Sequence, residues 1–338
     1  MSKTPHSRSK GVDIILSAPR GFCAGVVRAV DIVELSLERF GNPLYVRHEI
    51  VHNPHVVESL RQKGAIFVEE LNEVPDNQTV VFSAHGVAPR VWDEAHQRNL
   101  TIVDATCPLV TKVHLESIKY ARENYSVIVV GHEGHPEVIG TMGQSPKNSS
   151  LVGTAAEAEQ VEVRDPDRVV ALTQTTLSVG DTQAIISVLK RRFPNLIARN
   201  DICYATTNRQ EAAKELAQQV DVVLVIGAQN SSNCNRLREV AAAMGVAAYL
   251  VAGPEELDLH WLEGAQRVGI TSGASTPESS VESVISHLAP ASVTTLEVTK
   301  EDVSFVLPQE LQRVGDKWAH AREEDADPSP FRESSLPS

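Results

Sequence analysis

Short runs of β-branched and aliphatic residues alternate along this chain with stretches whose apolar positions recur every three or four residues. Continuous short runs suit strands buried on both faces, and the 3.6-residue recurrence suits helices covering them, so the pattern predicts a parallel-sheet α/β protein. Strands are expected over 12–17, 79–82, 101–103, 126–130, 169–172, 196–198, 222–226, 247–251 and 268–271. The run 44–46 also has strand character. Val26, Val30, Val33 and Leu37 predict a helix over 25–40. That many strands exceed one small sheet. Cys23, Cys107 and Cys203 stand 84 and 96 residues apart, each close to the size of a small α/β unit, and suggest a diverged threefold repeat. The expected division is an N-terminal tail at 1–10, lobes at 11–107, 108–203 and 204–317, the last with a C-terminal strand, and an acidic tail at 318–338. Both tails are expected to be disordered, because they bury too little apolar surface.

Composition narrows the function. Of 338 residues, 42% are hydrophobic and 22% charged, ordinary for a globular chain, which excludes global disorder. A net charge of −13 argues against nucleic acid and acidic membranes as partners, and 4% aromatic residues leave little to stack on single strands or glycans. The longest uncharged apolar stretch, 240–253, has 14 residues, short of a membrane span. No signal-type apolar core follows the basic N-terminal residues, so a cytoplasmic location is expected. Four scattered cysteines are too few for a disulfide framework.

The reactive polar residues gather where strands end, which is where parallel sheets bind ligands beside free helix N–H groups. One motif is misleading. His48-Glu-Ile-Val-His52 fits the zinc-protease pattern, which needs a helix, but strand-like residues precede it and Asn53-Pro54 follows. His52 is therefore expected in a loop with a functional role, and His48 as structural. A lone cysteine is more often a small buried hydrophobe than a ligand. Cys23, Cys107 and Cys203 share a better placement, after a strand and at the opening of a helix whose dipole favours a thiolate. Without Cys-x-x-Cys pairing they suit an iron-sulfur cluster better than structural zinc. Three thiolates on a cubane would leave one iron open to a substrate oxygen. Cys234, placed in a polar loop by its neighbours, is read as a non-ligand.

Around those cysteines stand His52, His85 and His135, with Glu137, Thr175, Thr176, Ser231, Ser232, Asn233 and Ser275. Together with helix N-termini they form a donor-rich cage for a small anion such as a diphosphate, with Glu137 as the proton source. No Gly-x-Gly-x-x-Gly follows a strand, so electrons must come from another molecule.

Pro19-Arg-Gly-Phe-Cys-Ala-Gly25, Val51-His-Asn53, Ser83-Ala-His-Gly86, Asp104-Ala-Thr-Cys-Pro-Leu-Val110, Gly131-His-Glu-Gly-His-Pro-Glu137, Thr173-Gln-Thr-Thr-Leu-Ser178, Asp201-Ile-Cys-Tyr-Ala-Thr-Thr-Asn-Arg209 and Asn230-Ser-Ser-Asn233 together resemble the 4-hydroxy-3-methylbut-2-enyl diphosphate reductase family. The resemblance runs from residue 13 to about residue 290. It implies three α/β lobes in pseudo-threefold arrangement around a central iron-sulfur cluster. The reaction implied is reductive removal of an allylic hydroxyl, giving isopentenyl and dimethylallyl diphosphates at the end of the methylerythritol phosphate route. It further implies one 4Fe-4S cluster on Cys23, Cys107 and Cys203, diphosphate held by His52, His85, His135, Ser231, Ser232, Asn233 and Ser275, protons from Glu137, and a substrate hydroxyl oriented by Thr175. A ferredoxin or flavodoxin would supply electrons to what is expected to be a monomer. Cys234 departs from the family, which more often has a small hydroxyl residue there. The competing readings are a cluster-bearing redox sensor without turnover and a zinc hydrolase.

Overall fold

The computed structural model describes residues 11–312, so both predicted disordered tails lie outside the described residues. The chain opens with β1 (Asp13–Ala18) and α1 (Ala24–Phe40). β2 (Leu44–Arg47), α2 (Pro54–Gln62), β3 (Ala65–Val68), β4 (Thr79–Phe82), α3 (Pro89–Gln97) and β5 (Thr101–Asp104) build one sheet, in the order β3-β2-β4-β5. After α4 (Pro108–Arg122), β6 (Ser126–Val130), α5 (Pro136–Gln144), β7 (Ser149–Val152), α6 (Ala155–Gln160), β8 (Val169–Thr173), α7 (Val179–Arg192) and β9 (Ile197–Ala198) build a second, ordered β7-β6-β8-β9. The last stretch supplies α8 (Tyr204–Ala217), β10 (Val222–Ile226), α9 (Ser232–Ala243), β11 (Ala247–Val251), β12 (Arg267–Ser272), α10 (Glu278–Leu288) and β13 (Ser292–Glu297). Its sheet runs β11-β10-β12-β1-β13, and the strand pairs in all three sheets are parallel. The expected three-lobed, parallel-sheet α/β architecture is the one observed.

The three sheets share one plan. In each, the second strand of the unit lies outside the first, and the third and fourth follow on its other side. The fourth strands are β5, β9 and, in the last sheet, β1 from the opposite end of the chain. The repeat is therefore permuted, and the expected lobe 11–107 needs correcting. β1 is not part of the β2–β5 sheet but pairs Ile14 with Val268 and with Val293. α1, in contrast, packs Ile32, Val33 and Leu35 with Leu44 and Val46 of the first sheet. The chain thus changes lobes between β1 and α1, and Cys23 lies at that crossing.

Each sheet carries an apolar core on both faces, as α/β layering requires. Sequences such as Val-Val-Leu-Val-Ile in β10, buried at every position, explain why the central strands were legible. β3 and β7 were missed because they are half-exposed edge strands, with Ile66 turned outward in one and two serines opening the other.

Candidate functional site

With this strand order, loops converge where neighbouring crossovers leave on opposite faces, between the first and third strands of each unit. The connection after the first strand carries His52, His135 or, in the last sheet, Ser231 at the N-cap of α9 with Ser232 and Asn233 in its first turn. The loop after the third carries His85, the Thr175 and Thr176 pair, or Ser275. The fourth strand is followed by Cys107, Cys203 or Cys23. All of these residues, with Glu137, line one central cavity holding, with its mouth, about 720 Å³ of space not filled by atoms.

The three cysteines occupy equivalent backbone positions. Cys23 caps α1, Cys107 caps α4 with Pro108 at the first helical position, and Cys203 caps α8. Pro108 loses nothing there, because a first-turn N–H has no partner within the helix. Three helix N-termini therefore face the cavity, and each dipole favours negative charge on the sulfur it carries. The thiols are close neighbours: a Cβ added to Gly25 would lie 2.8 Å from Cys107 Sγ and 3.8 Å from Cys23 Sγ. The thiolates also raise one another's affinity for protons. Burial pushes Cys107 up to about 12 and Cys203 up to about 11, with the other cysteines adding to the effect. Cys203 Sγ lies 3.2 Å from the Thr206 hydroxyl. Among the described residues no group of three or more His, Cys, Asp or Glu stands close enough to hold a single metal ion. Cys23, Cys107 and Cys203 all line the same cavity.

On the remaining walls, His52 and His85 stack with ring centroids 4.2 Å apart, and His135 stands edge-on to both. Burial, reinforced by the neighbouring histidines, lowers His135 to about 3 and His85 well below the usual imidazole range. Both are neutral at pH 7. His135 Nδ1 accepts from the Glu137 backbone N–H, which leaves Nε2 as the protonated nitrogen. His52 Nε2 and both amide atoms of Asn233 are buried without partners within the protein. Buried polar groups are rarely left so, and here they line the cavity a ligand would fill.

Glu137, at the second position of α5, is 3% exposed. Burial pushes its carboxyl up to about 7, although the Thr175 backbone N–H and hydroxyl donate to its two oxygens at 2.7 and 3.0 Å and favour the charged form. A carboxyl poised near neutrality can hold a proton and release it, which suits general acid catalysis. Thr175 also accepts the Cys203 N–H on its carbonyl, so the acid and one thiol are braced by the same residue.

One expectation needs revision. Cys234 lies in the first turn of α9 and not in a loop; it is fully buried, with its thiol where a Cβ on Gly273 would meet it at 2.1 Å. As expected, the residues around His48 are not helical, and His48 has φ 61°, so the zinc-protease geometry is not formed. Sequence reasoning missed the braces. Glu49 bonds both His52 and Asn230, joining the first and third lobes, and Gln174 accepts from the His132 N–H while donating to Thr176. Their motif positions were visible, but their partners come from distant parts of the chain.

A LytB protein family model matches residues 14–289. The 4-hydroxy-3-methylbut-2-enyl diphosphate reductase of Azoarcus sp. (strain BH72) is 54% identical over 305 residues, covering 89% of this chain and 98% of its own. That of Pseudomonas aeruginosa (strain LESB58) is 52% identical over 310 residues, covering 89% and 99%. The solved E-1-hydroxy-2-methyl-but-2-enyl-4-diphosphate reductase from Plasmodium falciparum superposes with a TM-score of 0.87 at 35% identity, covering 92% of this chain and all of that one.

Proposed function

The chain belongs to the LytB protein family, and from that premise we infer that it is a reductase of 4-hydroxy-3-methylbut-2-enyl diphosphate, the last step of the non-mevalonate route to isoprenoids. Two electrons and two protons replace the allylic hydroxyl by hydrogen, releasing water and leaving isopentenyl or dimethylallyl diphosphate. The observation that carries this reading is the meeting of three helix-capping cysteines with a buried acid near neutrality in one cavity.

The enzyme uses an iron-sulfur cofactor, and the residues present fit one. Three thiols lining one cavity, with Gly25 leaving room beside Cys23 and Cys107, would be the donor set for a 4Fe-4S cluster held by Cys23, Cys107 and Cys203 with one iron left to the substrate. Such a cluster supplies electrons and a Lewis-acidic site for the hydroxyl. Loading it requires these thiols to lose protons that burial makes them hold, so assembly releases acid.

The chain's own groups then divide the remaining work. The diphosphate sits against His52, His85, His135, Ser231, Ser232, Asn233 and Ser275, where imidazoles, hydroxyls, an amide and the α9 N-terminus donate to its oxygens. Holding the diphosphate away from the reacting carbon brings the hydroxyl into place and lowers the entropic part of the barrier. Thr175 orients that hydroxyl, with Thr176 beside it, and Glu137 donates a proton so that it leaves as water. Electrons arrive from a ferredoxin or flavodoxin, and the protein works as a cytoplasmic monomer. No helix among the described residues is long and apolar enough to cross a membrane. A redox sensor would need neither the acid nor the orphaned donors lining the cavity.

The test is anaerobic reconstitution followed by incubation with the allylic diphosphate and reduced methyl viologen. Formation of isopentenyl and dimethylallyl diphosphates is expected; an intact iron-sulfur chromophore without product would overturn the enzymatic reading.

A further inference from the structure

Beside the loops that carry Cys23 and Cys203 lies a fully buried arginine. Arg209 on α8 donates from Nε and Nη2 to the Gly21 carbonyl at 3.2 and 2.9 Å, and from Nη1 to the Ala205 carbonyl at 3.0 Å. Gly21 is two residues before Cys23, and Ala205 two after Cys203. The same Nη1 reaches Glu301 Oε1 at 2.9 Å, and Asn208 Nδ2 donates to that oxygen at 3.1 Å. Glu301 comes from the segment that follows β13 and crosses the outside of α1. A second arginine ties this segment to the third cysteine: Arg28 donates to the Val306 carbonyl and to the carbonyl of Thr106, the neighbour of Cys107. Between Cys203 and Arg209, the Tyr204 hydroxyl accepts from the Ala24 N–H beside Cys23, and this phenol feels the charges of Cys23, Glu301 and Arg209 together.

Burying a guanidinium this completely costs several kcal/mol unless it is paired, and an apolar residue of similar volume would be at least as good for stability alone. Its placement calls for a different account. We propose that the buried Arg209–Glu301 pair positions the Cys23 and Cys203 loops and sets the electron affinity of the group the three cysteines hold. The proposal rests on the three-cysteine cluster reading above. The physical basis is that cluster potentials depend on nearby net charge, hydrogen bonding and exposure, and that a charge in a dry interior acts over a longer range than one in water. With Glu301 ionised the pair is neutral towards the cysteines. Without it, a lone guanidinium, bonded to carbonyls two residues from two of the ligands, favours the more negative, reduced state.

The experiment is a redox titration of the anaerobically reconstituted holoprotein, followed by visible absorbance and electron paramagnetic resonance. Glu301→Gln keeps the shape and removes the charge, and the midpoint potential should move up. Glu301→Asp keeps the charge and should stay with the unaltered protein. Asn208→Asp adds a negative charge beside Glu301 without replacing either partner and should move the potential down. A purely structural role would not produce opposite signs. Midpoints for Glu301→Gln and Asn208→Asp that coincide with the unaltered protein, or that move in one direction together, would overturn the proposal. Should Glu301→Gln not fold, Asn208→Asp decides alone, a fall supporting the proposal and no fall overturning it. Iron and sulfide are counted on the same samples. Their absence from the unaltered protein would refute the cluster reading, whereas a loaded cluster with an insensitive potential refutes only the role of the pair.

Discussion

Gly25→Ala adds one methyl group at the second position of α1 and separates helix stability from cysteine geometry. The new carbon would lie 2.8 Å from Cys107 Sγ and 3.7 Å from Cys107 Cβ. Carbon and sulfur need roughly 3.5–4.0 Å, so the thiol must retreat by about 1 Å or turn away. For the helix itself the change is favourable, because alanine is preferred over glycine by about 1 kcal/mol in a helix interior and by less near the N-terminus. The protein without its cofactor should therefore melt at an unchanged or slightly higher temperature. Misplacing one of three ligands by that distance should instead cut iron and sulfide retained after anaerobic reconstitution several-fold. Turnover should fall by about 10²-fold, the usual cost of a 1 Å error in a reacting constellation. The assays are a thermal melt by circular dichroism, iron and sulfide quantitation, and product formation on the same preparation. Full iron and sulfide with undiminished turnover would show that Cys107 does not share a centre with Cys23, and the site as described would fail.

Glu137→Gln keeps the shape and can still accept from the Thr175 N–H but has no acidic proton to give, so turnover should drop by about 10²–10⁴-fold with the visible chromophore intact; undiminished turnover would remove Glu137 from the reaction. Because the carboxyl, lifted from 4.5 to about 7, acts in its protonated form, kcat/KM should decline as pH rises through about 7, and a flat profile up to pH 9 would contradict this. The same shift links to stability: the contribution of the neutral, buried acid is fully present below pH 4.5 and is lost as pH rises through about 7, which melts of the cofactor-free protein at pH 6 and 8 would register. Thr175→Val removes a hydroxyl that favours the carboxylate, so the alkaline limb should move upward by under about one unit; a downward move would refute that assignment. Serine at Cys23, Cys107 or Cys203 should each abolish cluster retention, whereas Cys234→Ser, buried in the core of the last lobe, should leave iron content unchanged.

Much of the site was legible because its chemistry is local. A cysteine that follows a strand and precedes a helix declares its own environment, and Pro108 and Pro136 announce helix starts beside Cys107 and Glu137. The apolar strands β6, β8 and β10 were equally plain, since burial on both faces leaves no polar positions to confuse the pattern. The braces Glu49, Gln174 and Arg209 were not legible. A carboxylate, an amide or a guanidinium reads as solvated surface until its partner is known, and those partners lie 181, 58 and 188 residues away at Asn230, Ser232 and Gly21.

From sequence alone follow the class of fold and the strand-end placement and spacing of the three cysteines, because hydrophobic period and strand-end placement are properties of short segments. Tertiary structure alone decided that β1 completes the last sheet while α1 covers the first. That outcome depends on ladders joining residue 13 to residues 267 and 292, which no local pattern encodes. It also made three distant helix openings share one cavity, where burial, an effect of the whole surrounding shell, raised Glu137 to about 7 and kept His85 and His135 neutral.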